Sequence, residues 1–319
     1  MRRKRWKENL TAYLYLLPAS LVLFVFHLMP VGYAFWISLH EWKVKKVAFL
    51  GLTNYLEVLR DPSFWDSLKV TVFYVLGTIP IQLILALIIA YLLYQKIRGL
   101  SIYRTVYFLP YITSTVAAAA VWLWIFNPGH GPMNQILQVI GISAQKWMNE
   151  PRGILRLIGG AFGLTVPKWA DGPSLALVAV MVFSIWQYTG YDVVIFLAGL
   201  GNIPTELYEA AKIDGAAQKD LFWHITLPLL SPTTFFLAVM STIWAFQAFS
   251  SIYVMTWASG GKLGGPLGTT TTTTIYIFDE FYNRINFGYA AAMAFVLFWI
   301  IFGMTILQRR IGERRVFYG

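Results

Sequence analysis

The chain contains no cysteine in its 319 residues, which excludes a disulfide framework, a thiolate metal site and a cysteine nucleophile. Charge is also scarce, because Asp, Glu, Lys and Arg together make up 13% of the residues. A soluble globular domain carries about 25%. The low charge and the hydrophobic share of 57% assign the chain to the membrane class before any motif is considered.

Motifs for catalysis are missing as well. The phosphate-binding loop G-x-x-x-x-G-K-[ST] does not occur; GGKLGG at residues 260–265 has the lysine but neither the spacing nor the hydroxyl residue that should follow. We find no cluster of metal ligands and no set of nucleophile, base and orienting group. The sequence therefore predicts a chain that neither hydrolyses ATP nor catalyses a covalent reaction by itself, and that carries no metal or other cofactor.

Six apolar runs are long enough to cross a bilayer core, which takes about 20 residues of helix. They cover residues 11–38, 69–94, 103–126, 174–199, 229–256 and 287–307. The runs are continuous and do not alternate, so they indicate helices and not the strands of a barrel. The predicted fold class is an all-α membrane protein with about six transmembrane helices. The formal net charge of +10 does not indicate nucleic acid, because the basic residues bunch beside these runs.

The distribution of basic residues predicts the orientation. With the N-terminus in the cytoplasm, the inner segments 1–10, 95–104, 200–228 and 308–319 hold 14 Lys and Arg against 6 Asp and Glu. The outer segments 39–69, 127–173 and 257–286 hold 11 against 8, although they are longer in total. The positive-inside rule therefore places both termini and the loop 200–228 in the cytoplasm.

Two outer segments carry features of their own. The external loop 127–173 contains two short apolar stretches, 135–142 and 154–164, which are too short to span and are expected to lie on the membrane surface or to form a small external cap. The threonine run 269–274 follows a Gly- and Pro-rich turn and predicts an extended piece.

The most polar stretch between two runs is the segment 209–228, EAAKIDGAAQKDLFWHITLP. It carries five charged residues and so belongs in water. Helix-forming residues come in two groups, one ending at Asp214 and one starting at Ala216, and Gly215 lies between them where the backbone must turn. We expect a helix, a turn and a second helix that Pro228 closes, which is a suitable shape for a docking element.

This segment resembles the loop signature of the permease subunits of binding-protein-dependent ABC importers. The signature is EAA, three residues, G, nine residues, I, one residue and LP; it is matched here by Glu209, Ala210, Ala211, Gly215, Ile225, Leu227 and Pro228. The resemblance implies the type I ABC importer permease fold and a coupling loop that docks on a separate cytoplasmic ATPase. In such a complex Glu209 and Asp214 would pair with basic groups of the ATPase, and that partner would bind ATP and Mg²⁺.

A second resemblance concerns the segment after the first run. Phe49, Gly51, Leu52, Asn54 and Tyr55 are similar to the F-x-G-L-x-N-Y segment of the carbohydrate branch, which includes maltose and glycerol-phosphate importers. Residues 203–216, 108–110 and 287–293 are similar to that branch too, whereas residues 143–172 are longer than its usual outer loop and the GGP at 264–266 lies further from Thr256.

The resemblance to the ABC importer permeases also implies partners and a location. The expected partners are a second homologous permease, two cytoplasmic ATPases, an extracytoplasmic solute-binding protein and the lipid bilayer, with no nucleic acid. The expected location is the bacterial or archaeal cytoplasmic membrane, which the chain crosses several times.

Polar residues inside two runs predict a substrate path, because such residues are costly in lipid and face the protein interior or a cavity. The fourth run has Ser184, Gln187, Tyr188 and Tyr191 on one helical face with Trp186 beside it, and the fifth has Ser241, Trp244, Gln247, Ala248 and Ser251. Aromatic rings, hydroxyls and amides suit a sugar. The alternative is that these residues join helices by hydrogen bonds of about 0.6 kcal/mol each.

Asp192 lies within the fourth run and supports a competing hypothesis. An ionisable residue in a span is a candidate proton site, so the chain alone would be a secondary transporter; Asp192 is equally suited to pair with a neighbouring helix. A third hypothesis is a membrane scaffold that uses the loop to tether an ATPase without transport, and a fourth is an ABC permease for a non-carbohydrate solute.

Overall fold

The computed structural model describes residues 2–95, 99–257 and 263–312, and most of these residues are helical. The first part of the chain contains α1 (Arg2–Leu23), a π-helical turn (Phe24–Leu28), α2 (Met29–Ser38), an antiparallel ribbon of β1 (His40–Trp42) and β2 (Lys46–Phe49), and α3 (Thr53–Arg60). The middle contains α4 (Pro62–Tyr94), α5 (Leu100–Ile112), α6 (Thr115–Ile125), α7 (Pro132–Val139), α8 (Ile154–Ala161) and α9 (Leu175–Gly201).

The last part contains the helices that follow α9 in the chain. They are α10 (Thr205–Ile213), α11 (Gln218–Asp220), a π-helical segment (Leu221–Thr226), α12 (Leu227–Leu229), α13 (Ser231–Phe246), α14 (Ser250–Trp257), α15 (Thr273–Phe278), a second π-helical segment (Asp279–Asn283) and α16 (Phe287–Gly312). The helical class predicted from the sequence is confirmed; the short ribbon was not predicted.

Four helical stretches among the described residues are long and apolar enough to span a bilayer. They are Thr11–Ser38, α4, α9 and α16, and two bent pairs, α5 with α6 and the segment Gln218–Leu229 with α13, bring the number to six if each pair counts as one span. Tyr15 is 82% and Phe26 is 70% exposed on the first stretch, an apolar surface that suits contact with lipid. The orientation of the spans remains a prediction, and residues 96–98, 258–262 and 313–319 of the predicted loops and C-terminus lie outside the described residues.

The chain divides into two compact units, residues 1–62 with 277–298 and residues 63–276 with 299–319. In the first unit the Asn54 amide donates to the carbonyl oxygens of Ser38 (2.8 Å) and His40 (3.0 Å) at the end of α2. A Cβ on Gly288 would collide with the His40 carbonyl oxygen. These contacts explain, in terms of packing, two of the segments that resemble the carbohydrate branch.

The second unit has an apolar core where α4, α9 and α13 meet. The core contains Ala86, Ala90, Leu93, Val193, Phe196, Leu197, Leu200, Ile203, Leu230 and Leu237. α9 begins where the Ser174 hydroxyl accepts a hydrogen bond from the Leu177 amide at 3.1 Å, which caps the helix. The same three helices carry most of the polar residues discussed below.

The third predicted span is not one continuous helix. α5 and α6 meet at 95°, and Thr113 and Ser114 between them have extended backbone angles. The Thr113 hydroxyl donates to the Pro110 carbonyl oxygen at 2.7 Å, so side chains and backbone at the bend satisfy groups that a straight helix would pair internally. The span predicted at residues 103–126 is therefore a broken one, in which the bent pair α5 and α6 counts as one span.

The second loop helix ends at Leu229, one residue after Pro228, and the bend of 59° follows before Ser231, so the predicted end of this helix is correct to within one residue. The expectation for the threonine run was wrong. The run 269–274 is not extended: the Thr273 amide donates to the Thr71 hydroxyl at 2.9 Å and α15 begins there.

The loop 127–173, which the sequence predicts to be external, is a folded element and not a simple tether. Asn134 holds it together: its amide donates to the carbonyl oxygens of Pro128 and Gln145 (both 3.0 Å), and its oxygen accepts from the Trp147 indole at 2.7 Å. Arg152 pairs with Glu150 at 2.8 Å and lowers the pKa of that carboxyl group. The two predicted apolar stretches form the short helices α7 and α8.

Candidate functional site

A cavity of about 350 Å³ lies within the second unit, among α4, α9, α13 and two breaks between helices. The breaks are the bend between α5 and α6 and the interruption between α13 and α14. Its wall is formed by Tyr74, Thr78, Ile79, Gln82, Tyr111, Thr115, Tyr188, Tyr191, Asp192, Ser241, Trp244, Ala245, Gln247, Ala248, Phe249, Ser250 and Ser251. A concave site with few convergent polar groups is a typical small-molecule site.

Most of the residues predicted for the substrate path lie together on this wall. Six of the nine, and the accompanying Ala248, line the cavity: Tyr188, Tyr191, Ser241, Trp244, Gln247 and Ser251. Ser184 and Gln187 are buried beside it, where the Ser184 hydroxyl accepts from the Tyr74 hydroxyl at 2.8 Å and the Gln187 amide donates to the Thr115 hydroxyl at 2.9 Å. Their role in binding a solute remains a prediction.

Trp186 is the one predicted residue that neither lines the cavity nor is buried beside it. Its ring packs against Trp122 at 5.5 Å and Phe183 at 6.2 Å and is 40% exposed. Adjacent residues on a helix point about 100° apart, so Trp186 lies away from the cavity although its neighbour Gln187 reaches the buried side.

Aromatic rings form a continuous part of the wall. The ring centroids of Tyr111 and Tyr191 are 4.9 Å apart, those of Tyr191 and Trp244 are 5.5 Å apart, and those of Tyr111 and Tyr188 are 6.2 Å apart. Such rings offer flat apolar surfaces, and the tyrosine hydroxyls add hydrogen-bonding groups at the edge. Trp244 is 41% exposed, so one side of this cluster is open.

Sequence reasoning missed the contribution of α4. Tyr74, Thr78 and Gln82 recur every four residues on one face of this helix and line the cavity. This spacing could have predicted that α4 contributes to the cavity, because polar residues with helical spacing in a span indicate a face that points to the protein interior. Tyr111 and Thr115 were missed for a different reason, since only the bend between α5 and α6 brings them to the wall.

Asp192 pairs with an amide and not with a basic group. The Gln82 side-chain amide donates to Asp192 Oδ2 at 2.7 Å. The second oxygen, Oδ1, is buried and has no hydrogen-bond partner, and neither has the buried Thr78 hydroxyl. Of the residues described around the cavity, Asp192 is the only acid and none is lysine, arginine or histidine.

The predicted coupling loop is a helix, a turn and a second helix in the structure. α10 ends at Ile213, Gly215 has φ +81°, and the Asp220 carboxylate accepts from the Ala217 amide at 3.0 Å at the start of the second helix. A left-handed turn of this kind strongly favours glycine. The position of Gly215 was therefore predictable from the sequence.

The signature residues divide into two groups. Glu209, Ala210 and Asp214 are exposed and Ala211 is half-buried, whereas Ile225, Leu227 and Pro228 on the second helix are half-buried. Ile225 packs against the core of α4, α9 and α13. The first group is available to a partner, and the second group holds the loop to the spans.

One contact joins the two loop helices to each other, and another ties the loop to α4. The Tyr208 and Thr226 hydroxyls lie 3.0 Å apart and join the two loop helices. Burial raises the pKa of Tyr208, while the hydrogen bond to Thr226 opposes that rise. The rings of Tyr91 and Phe222 meet at 4.9 Å and tie the second loop helix to the end of α4.

Comparison with known proteins identifies related chains over the full length. The trehalose/maltose transport system permease protein MalF of Thermococcus litoralis is 32% identical over 313 residues, which cover 98% of this chain and 96% of the relative. The sn-glycerol-3-phosphate transport system permease protein UgpA of Agrobacterium fabrum is 34% identical over 315 residues, 98% of each chain. The probable ABC transporter permease protein YesP of Bacillus subtilis is 36% identical over 315 residues, 98% of this chain and 93% of the relative.

The fold also matches a solved importer structure. A chain of the bacterial alginate ABC transporter, in complex with an alginate pentasaccharide-bound periplasmic protein, aligns with a TM-score of 0.76 at 19% identity, covering 98% of this chain and 96% of that chain. This likeness confirms the type I importer permease fold.

The family model described as the binding-protein-dependent transport system inner membrane component matches residues 49–317. Membership in this family argues against the hypothesis that the chain alone is a secondary transporter. The chain belongs to the binding-protein-dependent transport system inner membrane components, the multi-pass permease subunits of ABC importers.

Proposed function

We propose that this permease forms one side of the translocation path for a polyhydroxylated solute, that is, a sugar, an oligosaccharide or a glycerol-phosphate-like compound. The observation that carries the proposal is the cavity, whose wall combines aromatic rings with hydroxyl and amide groups. Sugars present apolar C–H faces to rings and hydroxyls to polar groups. The relatives named for trehalose, maltose and glycerol phosphate support the same solute class.

The proposed assembly contains more than this chain. A second homologous permease completes the path, two cytoplasmic ATPases bind ATP and Mg²⁺, and an extracytoplasmic binding protein delivers the solute. Both termini and the loop 200–228 face the cytoplasm of a bacterium or archaeon. The exposed residues Glu209, Ala210 and Asp214 support docking of an ATPase on this loop.

Coupling follows from the order of elements along the chain. The loop connects α9 to α13, and both helices carry cavity residues. The Tyr208–Thr226 contact joins the two loop helices, and the Tyr91–Phe222 contact ties the second of them to the end of α4. Closure of the ATPases on ATP would therefore turn the loop as a unit, and with it the two wall helices that it connects. Alternating access then exposes the cavity first to one side of the membrane and then to the other.

The docking part of the proposal is tested by co-purification. Ala210→Trp places a large ring on the exposed face of α10 and is expected to abolish recovery of the ATPase with the tagged permease. Ala161→Trp, on an exposed face of α8 in the predicted external loop, is the matched control and should leave recovery unchanged. Equal recovery with both variants would contradict docking on α10.

The orientation and the transport role need separate measurements. Because the chain has no cysteine, Lys212→Cys can be labelled without background, and a membrane-impermeant thiol reagent should reach it only from the cytoplasmic side. Proteoliposomes of the complete importer should take up radiolabelled maltose or sn-glycerol-3-phosphate only with ATP and the binding protein. Labelling from outside intact cells would refute the orientation, and uptake by this chain alone would refute the assembly.

A further inference from the structure

The wall of the cavity contains two buried hydrogen-bond acceptors that the protein itself does not satisfy. Asp192 is 1% exposed and Thr78 is 2% exposed, and Asp192 Oδ1 and Thr78 Oγ1 have no partner among the described residues. Both residues line the cavity. Buried polar atoms without partners are rare in native proteins, and each calls for an explanation.

Asp192 is fixed in place by its other oxygen. The Gln82 amide donates to Oδ2 at 2.7 Å, and Gln82 and Thr78 lie one helical turn apart on α4. A carboxylate that keeps one oxygen free in a buried site carries a large desolvation cost unless a donor reaches it. Asp192 lines the cavity, so the charge of its carboxylate acts on a solute that occupies this space.

No other side chain described around the cavity offsets the negative charge of Asp192. The remaining wall residues are tyrosines, hydroxyl and amide residues, one tryptophan and apolar side chains, with no basic group among those described. A phosphate or carboxylate solute is normally bound by arginine, lysine or a helix N-terminus. Two helices begin at the wall, α6 at Thr115 and α14 at Ser250, but each helix end carries only about half a unit charge, and its effect falls off within the first turn. An anion in this cavity would also face the full charge of a carboxylate in a site of low effective dielectric constant, where repulsion between like charges is strong.

We infer that Asp192 determines the charge class of the solute: its carboxylate makes the cavity electronegative, so that the cavity accepts neutral polyhydroxylated solutes and excludes anionic ones. Gln82 is the positioning residue that holds the carboxylate in place through Oδ2. This inference rests on the proposed function and narrows it, because it selects sugars and oligosaccharides over glycerol-phosphate-like compounds.

The charge of the cavity is measurable with a single introduced thiol. Ser250 lines the cavity and is exposed, and the chain has no other thiol, so Ser250→Cys in the complete importer reports local potential through its reaction rates with a cationic and an anionic methanethiosulfonate of similar size. The ratio of cationic to anionic rate should fall at least about threefold with Asp192→Asn, as the loss of one unit charge in a partly desolvated site predicts.

Two matched variants make this result specific. Asp192→Glu keeps the charge and should keep the rate ratio, and Glu57→Gln removes an exposed acid of α3 and should not change it. Asn is isosteric with Asp and still accepts from Gln82, so the variant is expected to fold. An unchanged ratio in Asp192→Asn would overturn the inference, and so would an equal fall in Glu57→Gln.

Solute protection tests the selectivity itself. Glucose and glucuronate, which share a ring and differ in charge, serve as probes for protection of the Ser250→Cys thiol against a neutral reagent. Glucose should slow modification whether residue 192 is Asp or Asn, and glucuronate should do so only after Asp192→Asn. Protection by glucuronate in the presence of Asp192 would overturn the inference and leave the proposed transport of polyhydroxylated solutes intact. Failure of both probes to protect any variant would contradict the proposed function.

Discussion

Replacing Gly215 with valine should uncouple the permease from its ATPase without preventing membrane insertion. Gly215 has φ +81°, a conformation in which an L-residue costs about 1–2 kcal/mol and a β-branched residue lies at the upper end. An added Cβ would meet no atom within 4 Å, so no clash adds to this backbone strain. A cost of about 2 kcal/mol shifts the equilibrium between closed and open turn by about thirtyfold.

The turn is held by two backbone hydrogen bonds that report on this shift. The Gly215 amide donates to the Lys212 carbonyl oxygen at 3.1 Å, and the Ala216 amide donates to that of Ala211 at 2.9 Å. Hydrogen exchange at Ala216 should therefore accelerate by about thirtyfold in Gly215→Val. In proteoliposomes of the complete importer the number of solute molecules transported per ATP should fall, because the altered turn no longer presents α10 at the same angle.

Gly215→Asn is the control for this experiment. Asparagine tolerates the left-handed conformation better than other L-residues, so it should cost less than about 1 kcal/mol and preserve most of the coupling. Equal hydrogen exchange in the valine and asparagine variants would refute the reasoning from backbone strain. Normal uptake with Gly215→Val would refute the coupling role of the turn.

Three further predictions concern the second unit. Trp244→Ala should raise the half-saturating solute concentration by about two- to tenfold, because one ring contact contributes about 0.5–1.5 kcal/mol, whereas Trp186→Ala should not, since its ring lies outside the cavity. Gly190→Ala should lower stability in thermal unfolding by at least about 1–3 kcal/mol, because its Cβ would collide with the Tyr107 carbonyl oxygen. The external loop should lose stability below about pH 4.5, as limited proteolysis against pH would detect, and Glu150→Gln should remove this dependence.

The sign of the pH effect follows from the contact with Arg152. The folded-state pKa of Glu150 lies below its ordinary value of 4.5, so the stabilisation is complete above that value and is lost as the pH falls and the carboxylate becomes protonated. A loop with equal resistance to protease at pH 3 and pH 7 would contradict this assignment. For Gly190 the control is Gly201→Ala, where a Cβ meets nothing within 4 Å; equal melting temperatures for the two variants would contradict the packing argument.

The helical class, the helix–turn–helix shape of the segment 209–228 and most of the cavity residues on α9 and α13 could be predicted because each is a local pattern. Gly215 lies at a turn that its own neighbours specify, and Tyr188 and Tyr191 lie on one helical face by their spacing alone. The family signature added the partner, which no periodicity indicates.

The errors arise where a distant contact outweighs local preference. The run 269–274 is rich in threonine, which favours strands. The Thr273 amide instead donates a hydrogen bond to the Thr71 hydroxyl, 202 residues away in the chain, and a helix begins at Thr273. Trp186 was grouped with its neighbours by sequence adjacency, and only the packing of Trp122 shows which way it points. The Gln82–Asp192 bond joins two helices 110 residues apart and has no local signal.

The two interruptions of helix beside the cavity have a consequence for how the solute class can change during evolution. Tyr111 and Thr115 flank one break, and residues 247–249 form the other. At a helix end, backbone N–H and C=O groups lack the regular partners of a helix interior, so part of the polarity beside the path belongs to the main chain. Side-chain substitutions at these positions would change which polar solute the cavity binds. They would not make the wall wholly apolar, because that would also require the loss of the two helix breaks.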